Sequence, residues 1–550
     1  MSRRAADLLI DCLQQHNLTR GFCVPGESYL PVLDAISSAN NFDVITCRHE
    51  GGAGFMAVAD AKLTGEPGIA FVSRGPGATN ASIAVHTAEQ DAAPMILFIG
   101  QVSRDDLGRG AFQEVDYETT FEDMAKWVHT IVDPETLPEV IAAAVRIAKT
   151  PTQGPVVIVL PEDMLDDEVD VQAEPPQAVI VPAVVDADVA KTADMIAAAE
   201  RPLVIVGGET AGLKSGLIQM AETWNLPIVP SFKRQDLFPN EHANFGGYLG
   251  YNIPRPQVEI MSEADLIIAL GTRLGDATTQ GYVLPTAPEP SQPLIHIYPD
   301  PYVPGKVFET ALGLVCGSED FLESLATCTP AFPASGRQEW IERLNGHARS
   351  LSDWGAKKAP DGIDFGFVIA ELQKQISGDA IIATDAGNFS SWLHRHFQFG
   401  EKHTLLGAVA GAMGMGVPAA VAAAFRCPER QVVTLVGDGG FMMTGNELAT
   451  AVQYELPIKI LLSDNGAFGT IRTHQEKHFP GRISATALTN PDFAMMANAY
   501  GALGIDVSDS DQIGPALSQA LEHHGPALIN FHSSLEHISA YTTIAGLRNK

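Results

Sequence analysis

The chain has 550 residues, 45% of them hydrophobic and 18% charged, with 50 glycines and 36 prolines spread along it. This composition is typical of a globular protein of several domains, at roughly 150 residues each, and excludes disorder and collagen-like repeats. Lys and Arg number 35 against 66 Asp and Glu, and the net charge of −31 argues against nucleic acid or membrane surfaces as partners. Asp7 and Asp11 interrupt any apolar export signal, so we expect a cytoplasmic protein.

Short β-branched runs alternate with Ala-rich helical patterns along most of the chain. The predicted strands, in chain order, are GIAFVS, PMILFIG, PVVIVLP, PLVIVGG, ADLIIALG, PLIHIYP, QVVTLVGDG and IKILLSD. This alternation predicts an α/β fold of doubly wound parallel sheets. Pro-rich stretches after Pro161 and near Pro330 are interpreted as linkers, which predicts domains at 1–165, 185–330 and 355–535 and a tail at 536–550. The first and third domains could be distant structural copies.

The most informative segment carries polar residues after two predicted neighbouring strands. Asp438 follows the first strand and Asn465 the second, 27 residues later. Since ligands bind at the carboxyl ends of parallel strands, we expect the two oxygen ligands to converge on a divalent cation such as Mg²⁺, with the Ala467 carbonyl as a third ligand. Adjacent glycines would let a diphosphate approach the backbone; they are Gly437, Gly439 and Gly440. Taken singly, G-D-G and D-N-G are also common turn sequences.

This spacing resembles the signature of thiamine diphosphate enzymes, with Asp464 in place of the usual first Asn of the pair. The resemblance covers nearly the whole chain and is closest to acetolactate synthase, particularly in GPGATN, which contains Asn80, and in the run AFQE. The chain also resembles pyruvate decarboxylase and benzoylformate decarboxylase. The resemblance implies pyrimidine-binding, central and diphosphate-binding domains, in that order.

The resemblance also implies a set of cofactor-binding residues. Glu50 would lie against the aminopyrimidine ring and share a proton with a ring nitrogen, helped by a pKa that burial raises. The Gly411 carbonyl would bind the same ring, and Met413 would support the bend of the cofactor. Asn80 and Phe468 complete the cofactor-binding set. A helix-start carboxylate is the alternative role for Glu50, and a core methionine is the alternative for Met413.

The reaction is less sharply indicated than the cofactor. Decarboxylases of this family carry a His-His pair and a glutamate six residues after the metal Asn, where this chain has Phe112-Gln113 or nearby residues and Ile471. Both departures argue against a simple pyruvate-type decarboxylase. Glu27 aligns with an acidic decarboxylase residue and is either a second acid or base or a solvated loop charge.

Acetolactate synthase is imperfectly matched as well. His474 stands where that enzyme often has the Trp that selects its second keto acid, and Ala277 replaces an arginine that helps to hold the second substrate. Arg74 is either a replacement cation or an ion-pair partner. We name Glu50, Gln113, Glu27 and His474 as candidate catalytic residues.

The leading hypothesis is a Mg²⁺- and thiamine diphosphate-dependent carbon-carbon lyase or carboligase acting on 2-keto acids or acyloins. One alternative is a non-oxidative 2-keto acid decarboxylase. Another is a non-catalytic nucleotide-binding or regulatory subunit, but the presence of Glu50, Asp438 and Asn465 argues against it. The segment SFKRQDLFP replaces a glycine-rich turn that acetolactate synthase uses to bind FAD, which argues against FAD here. The resemblance implies active sites at a subunit interface, in a homodimer or a homotetramer.

Overall fold

Three parallel β-sheets, each flanked by helices, follow one another along the chain and confirm the predicted α/β fold class. The computed structural model describes residues 2–251, 253–330 and 334–549. Every β-branched run predicted as a strand lies in one of these sheets. Because helices cover both faces of a parallel sheet, its strands accept apolar side chains at nearly every position.

The N-terminal domain is a six-stranded sheet with helices on its faces. Its elements are β1 (Arg3–Arg4), α1 (Ala5–Gln15), β2 (Arg20–Cys23), α2 (Leu30–Ser38), β3 (Asp43–Thr46), α3 (Glu50–Thr64), β4 (Gly68–Val72), α4 (Pro76–Asp91), β5 (Met95–Gln101), α5 (Tyr117–Phe121), β6 (Trp127–Thr130), α6 (Leu137–Lys149), β7 (Pro155–Pro161) and β8 (Glu168–Val169). The strand order is β3-β2-β4-β5-β7-β6, and the short strands β1 and β8 pair antiparallel with each other.

The central domain has a five-stranded parallel sheet. Its elements are α7 (Asp186–Ala198), β9 (Pro202–Val206), α8 (Lys214–Trp224), β10 (Ile228–Pro230), α9 (Arg255–Met261), β11 (Leu266–Leu270), β12 (Leu294–Ile297), β13 (Leu312–Leu314), α10 (Ser318–Ala326) and α11 (Ala334–Ser352). The strand order is β10-β9-β11-β12-β13.

Helix α11 occupies part of the stretch near Pro330 that was interpreted as a linker; residues 331–333 of that stretch lie outside the described residues. The helix packs on the central domain through Trp340, which is 3% exposed. Its indole N–H donates to the Pro202 carbonyl at 2.9 Å. The sequence did not predict this helix because the prolines just before it indicated a linker. The other predicted linker has no regular structure between β8 and α7.

The C-terminal domain again has six parallel strands. Its elements are α12 (Gly366–Gln375), β14 (Ile381–Thr384), α13 (Ser390–His396), β15 (Thr404–Gly407), α14 (Gly416–Arg426), β16 (Val432–Gly437), α15 (Asp438–Thr444), α16 (Leu448–Gln453), β17 (Lys459–Asp464), α17 (Gly469–His478), α18 (Phe493–Tyr500), β18 (Leu503–Val507), α19 (Ile513–Glu522), β19 (Ala527–His532) and α20 (Ile544–Arg548). The strand order is β15-β14-β16-β17-β19-β18.

The N-terminal and C-terminal sheets have the same strand order once the strands of each are counted from its own first strand. The two domains are therefore topological copies, a relationship that the sequence left open. They also share one hydrophobic cluster, in which small residues of α3 lie against both α4 and α14. None of the described helices is long and apolar enough to cross a membrane.

Candidate active site

The strand order of the C-terminal domain creates a crevice between β14 and β16. The chain passes from β14 outward to β15 and then returns across β14 to β16, so the strand order reverses between these two neighbours. Open α/β sheets bind ligands outside the carboxyl ends of the strands at such a point. Asp385 follows β14 and Asp438 follows β16, so a buried carboxylate lies on each side of the crevice.

Asp438 is the first residue of α15 and is 3% exposed. Its Oδ1 accepts from the Gly439 N–H at 2.8 Å, and its Oδ2 accepts from the Asn490 side chain at 2.8 Å. Burial raises the pKa of Asp438 to about 6, and the neighbouring Asp464 adds to this rise. A cation bound beside this carboxylate would therefore favour its ionised form.

The loop after β17 carries the other predicted ligands. Strands β16 and β17 are paired neighbours, with Gly437 beside Ser463, so Asn465 follows the strand adjacent to that of Asp438. The Asn465 Oδ1 accepts from the Ala467 N–H at 3.1 Å, and the Phe468 N–H donates to the Thr486 carbonyl at 2.9 Å. These hydrogen bonds hold the loop in one conformation at the sheet edge.

Asn490 was not found from the sequence, and it joins the two acidic residues of this edge. Its amide nitrogen donates to Asp438 Oδ2 at 2.8 Å and to Asp464 Oδ1 at 2.7 Å. Within the described part of the chain, no three His, Cys, Asp or Glu side chains cluster as a metal site. Carboxylate and amide oxygens are of the type that Mg²⁺ takes, with phosphate and water completing its shell.

The glycines of the GDGG motif are required by close packing. A Cβ at Gly439 would lie 2.6 Å from the Phe468 ring, and a Cβ at Gly440 would overlap Asp385 Oδ2. A Cβ at Gly437 would lie 3.0 Å from Phe389. The chain therefore leaves no room for a larger residue at 439 and 440, and a backbone of glycines can bind phosphate oxygens through its N–H groups, so the residues present fit a diphosphate.

Asp385 is a second residue that the sequence analysis missed. Its Oδ1 accepts from the N–H groups of Gly414 at 2.7 Å and of Met415 at 3.2 Å, while its buried Oδ2 has no hydrogen-bond partner among the described residues. Burial raises the pKa of Asp385 to about 6. The carboxylate anchors the downstream end of the turn that contains Gly411, whose φ of 69° favours glycine, and the half-buried Met413.

Glu50 and Asn80 come together at the edge of the N-terminal sheet. Glu50 is the first residue of α3, and the His49 side chain caps that helix by accepting from the Gly51 N–H at 3.0 Å. Asn80 in α4 donates its amide to Glu50 Oε2 at 2.9 Å. The half-buried Glu50 carboxylate is thus oriented while one oxygen stays available to a ligand.

Glu27 and Gln113 lie at the same edge, on either side of Arg74 and Gly75. The Glu27 side chain is 75% exposed, and its Oε1 is 3.2 Å from the Arg74 guanidinium, which also binds Glu162 at 2.6 Å. Arg74 is therefore paired within its own chain. Gln113 has a φ of 65°, and its backbone packs on Gly75 so closely that a Cβ there would lie 2.8 Å from the Gln113 carbonyl.

His474 lies in the second turn of α17, the helix that follows the Asn465 loop. It is exposed, and its ring is parallel to that of His478, with 6.3 Å between the ring centroids. The end of the tail covers another face of this helix, where Arg548 of α20 binds Glu476 at 2.7 and 2.8 Å. Ile471, on the same helix, is 54% exposed.

A cavity of about 690 Å³ opens at the carboxyl edge of the central sheet, and Lys62, Asp91 and Val409 of the other two domains also line it. Arg234 of the SFKRQDLFP segment lines it, together with Arg273, Lys306 and Ala277. Lys233 of the same segment is 3% exposed, and its ammonium has no hydrogen-bond partner in the described ranges. The expectation against FAD stays a prediction.

The predicted residues form two groups in a single chain. Asp438, Asn465, Ala467 and Phe468 meet at the C-terminal sheet, while Glu50, Asn80, Glu27 and Gln113 lie at the edge of the N-terminal sheet. Among the described residues, no hydrogen bond joins Glu50 to the loops at 437–440 or 465–468.

Three family models match the chain. The N-terminal TPP binding domain of thiamine pyrophosphate enzymes matches residues 3–120, their central domain matches residues 189–325, and their C-terminal TPP binding domain matches residues 385–531. Each matched segment lies in a different one of the three domains, although the N-terminal match ends before β6 and β7 and the C-terminal match begins after β14.

Curated relatives match over nearly the whole length. A probable acetolactate synthase large subunit of Methanocaldococcus jannaschii is 31% identical over 550 residues, covering 96% of this chain and 91% of the relative. The large subunit of acetolactate synthase isozyme 1 of Escherichia coli is 30% identical over 538 residues, covering 96% and 94%. The putative thiamine pyrophosphate-containing protein YdaP of Bacillus subtilis is 30% identical over 546 residues, covering 96% and 91%.

Proposed function

Because the chain belongs to the thiamine pyrophosphate enzymes, in the group that resembles acetolactate synthase, we propose that it is a Mg²⁺-dependent carboligase. Its substrates are 2-keto acids or acyloins, between which it forms or breaks a carbon-carbon bond. The observation that carries the proposal is the pair of adjacent strand ends at which Asp438 and the Asn465 loop lie beside the closely packed glycines at 437–440.

In this proposal the C-terminal domain binds the diphosphate half of the cofactor. Oxygens of Asp438, of the Asn465 side chain and of the Ala467 carbonyl hold Mg²⁺, and the glycine backbone at 437–440 binds phosphate oxygens. Phe468 packs on Gly439 and closes one wall. Thiamine diphosphate supplies the electron sink that carbon-carbon bond chemistry at a carbonyl requires.

The N-terminal domain binds the aminopyrimidine half. Glu50 accepts or donates a proton at a ring nitrogen, and the hydrogen bond from Asn80 keeps its carboxylate oriented. The Gly411 carbonyl and Met413 face the cofactor from the turn after β15. Gln113, Glu27 and His474 surround the substrate end, and Glu27 or His474 transfers a proton to the product.

We place each active site between two subunits of a homodimer, or of a homotetramer. The separation of the predicted residues into two groups within one chain supports this arrangement. A subunit that supplies Glu50 would then face the Asp438 loop of a second copy.

Mixing two inactive variants tests both the residues and the interface. Glu50→Gln and Asp438→Ala are each expected to abolish turnover, and Asp438→Ala is also expected to abolish Mg²⁺-dependent cofactor binding. After the two variants are unfolded and refolded together, a mixed dimer with sites between subunits contains one site free of substitutions. Activity should return to about a quarter of that of the unaltered protein, from random pairing. If no activity returned, the whole site would lie within one chain.

The reaction is tested by a substrate panel with Mg²⁺ and thiamine diphosphate. Pyruvate, longer and aromatic 2-keto acids and acyloins are offered, and CO₂, aldehyde and hydroxyketone are assayed separately. Hydroxyketone formation, or its reversal, supports the carboligase. Free aldehyde without ligation would favour the decarboxylase, with Glu27 as proton donor, and Glu27→Gln would then lose aldehyde release.

A further inference from the structure

A buried ion pair joins the last turns of α3 and α4. Lys62 binds Asp91 through its ammonium, and their side chains are 3% and 0% exposed. Asp91 is the last residue of α4, where the negative end of the helix dipole disfavours a carboxylate. Helix stability therefore does not account for an aspartate at this position.

Both members of the pair also bind the C-terminal domain. The Lys62 ammonium donates to the Gly407 carbonyl at 2.6 Å, and Asp91 Oδ1 accepts from the Val409 N–H at 2.6 Å. The pair thus holds the backbone on both sides of Ala408. Charge-assisted hydrogen bonds in a buried environment are short and directional, so they fix the position of this segment.

The segment held in this way leads directly into the turn at 408–413. Downstream, the turn is anchored by Asp385, which accepts from the Gly414 N–H, and by Thr444, which binds the Gly414 carbonyl. Upstream, Lys62 and Asp91 hold Gly407 and Val409 from another domain. The turn that contains Gly411 and Met413 is therefore fixed at both ends.

We propose that Lys62 and Asp91 are positioning residues that set the turn at 408–413 against the aminopyrimidine half of the cofactor. The inference rests on the proposed function, which gives Gly411 and Met413 their roles. Neither Lys62 nor Asp91 touches the cofactor in this arrangement. The pair acts on the pyrimidine half alone, because the diphosphate half is held by the loops after β16 and β17.

The chain offers a matched control on the same helix. Asp60 binds Arg426 through two hydrogen bonds of 2.7 Å, and this pair also joins α3 to the C-terminal domain. Arg426, however, is the last residue of α14, beyond the far end of the turn. A general loss of domain packing would follow from either pair, whereas a specific effect on the turn would follow only from Lys62 and Asp91.

The test compares two ligands by calorimetry in Mg²⁺, namely thiamine diphosphate and inorganic diphosphate. Asp91→Ala should weaken thiamine diphosphate binding at least tenfold and change inorganic diphosphate binding less than twofold. Lys62→Met should behave alike, while Lys62→Arg, which keeps the cation, should recover most of the affinity. If Asp91→Ala fails to fold, Asp91→Asn, which keeps an acceptor for the Val409 N–H, should show the same selective loss to a smaller degree.

Asp60→Ala should lower the melting temperature and leave both affinities unchanged. The inference would be overturned if Asp91→Ala lost affinity for both ligands equally. It would also be overturned if Asp60→Ala lost affinity for thiamine diphosphate alone. If the unaltered protein bound inorganic diphosphate but not thiamine diphosphate, the proposed function itself would fail, and this inference with it.

Discussion

The Glu447 carboxylate accepts a hydrogen bond of 3.0 Å from the backbone N–H of His49, the residue immediately before Glu50. The same oxygen accepts from the Arg48 N–H at 3.0 Å, and the other oxygen accepts from Thr450 at 2.6 Å. Glu447 belongs to the C-terminal domain and is 0% exposed. It therefore fixes the start of the helix that carries Glu50, across a domain boundary.

Replacing Glu447 by Ala should lower both stability and turnover. Two partly buried N–H groups would lose their acceptor, at about 1–3 kcal/mol each, so we expect a fall of about 2–6 kcal/mol in the free energy of unfolding and a turnover reduced at least tenfold. Glu447→Gln keeps an oxygen acceptor and should lose much less. Urea unfolding and initial rates measure the two effects, with the exposed Glu429→Ala as control. An Ala variant as active as the unaltered protein would contradict the role.

The glycines of the crevice should not tolerate Ala. Gly439→Ala places a methyl group 2.6 Å from the Phe468 ring, and Gly440→Ala overlaps Asp385, whose Oδ1 is already fixed by the Gly414 N–H. We expect at least a tenfold weaker affinity for inorganic diphosphate in Mg²⁺ by calorimetry. Gly346→Ala is the control, because its Cβ meets no atom within 4 Å and Ala favours the helix. Unchanged affinity in both crevice variants would place the diphosphate elsewhere.

Glu476 should make the stability contribution of the tail depend on pH. Arg548, helped by the Gly481 N–H and Arg472, lowers the pKa of Glu476 to about 2 from an ordinary value of 4.5. A depressed carboxylate pKa stabilises the fold above the unfolded value, and that contribution is lost as the pH falls from 4.5 towards 2. Glu476→Gln should therefore be clearly less stable at pH 7, and the difference should shrink at pH 3.5. A difference independent of pH, measured by urea unfolding, would contradict this assignment.

We expect the purified protein to contain no flavin. The segment at 231–239 has no glycine, and its Lys233 side chain is buried. We expect no absorbance near the flavin band in the supernatant of heat-denatured protein, and no gain of turnover when FAD is added. Stoichiometric release of flavin would overturn the expectation.

The strands and the sheet edge that bears Asp438 and Asn465 follow from the sequence because their signals are local. A run such as VVTLVG is apolar throughout, and the polar residues come directly after it. Asp385, Glu447 and Asn490 could not be found in this way. Glu447 meets Arg48 across 399 residues, and nothing near Glu447 in sequence indicates that contact. The helix α11 was missed because its first residues follow a Pro-rich stretch.

Helix α3 is one continuous helix of 15 residues, about 22 Å long at 1.5 Å per residue, with Glu50 at its first position and Lys62 in its last turn. In the proposed dimer, Glu50 at the N-terminus of α3 binds the cofactor held by the other subunit. Lys62 near its C-terminus binds the 407–409 segment of its own C-terminal domain. One helix then contributes to both active sites of the proposed dimer. In a mixed dimer with Lys62 substituted in one subunit, that subunit's 407–409 segment would be displaced. The impaired site should therefore be the one that takes this segment from the substituted subunit and Glu50 from the other.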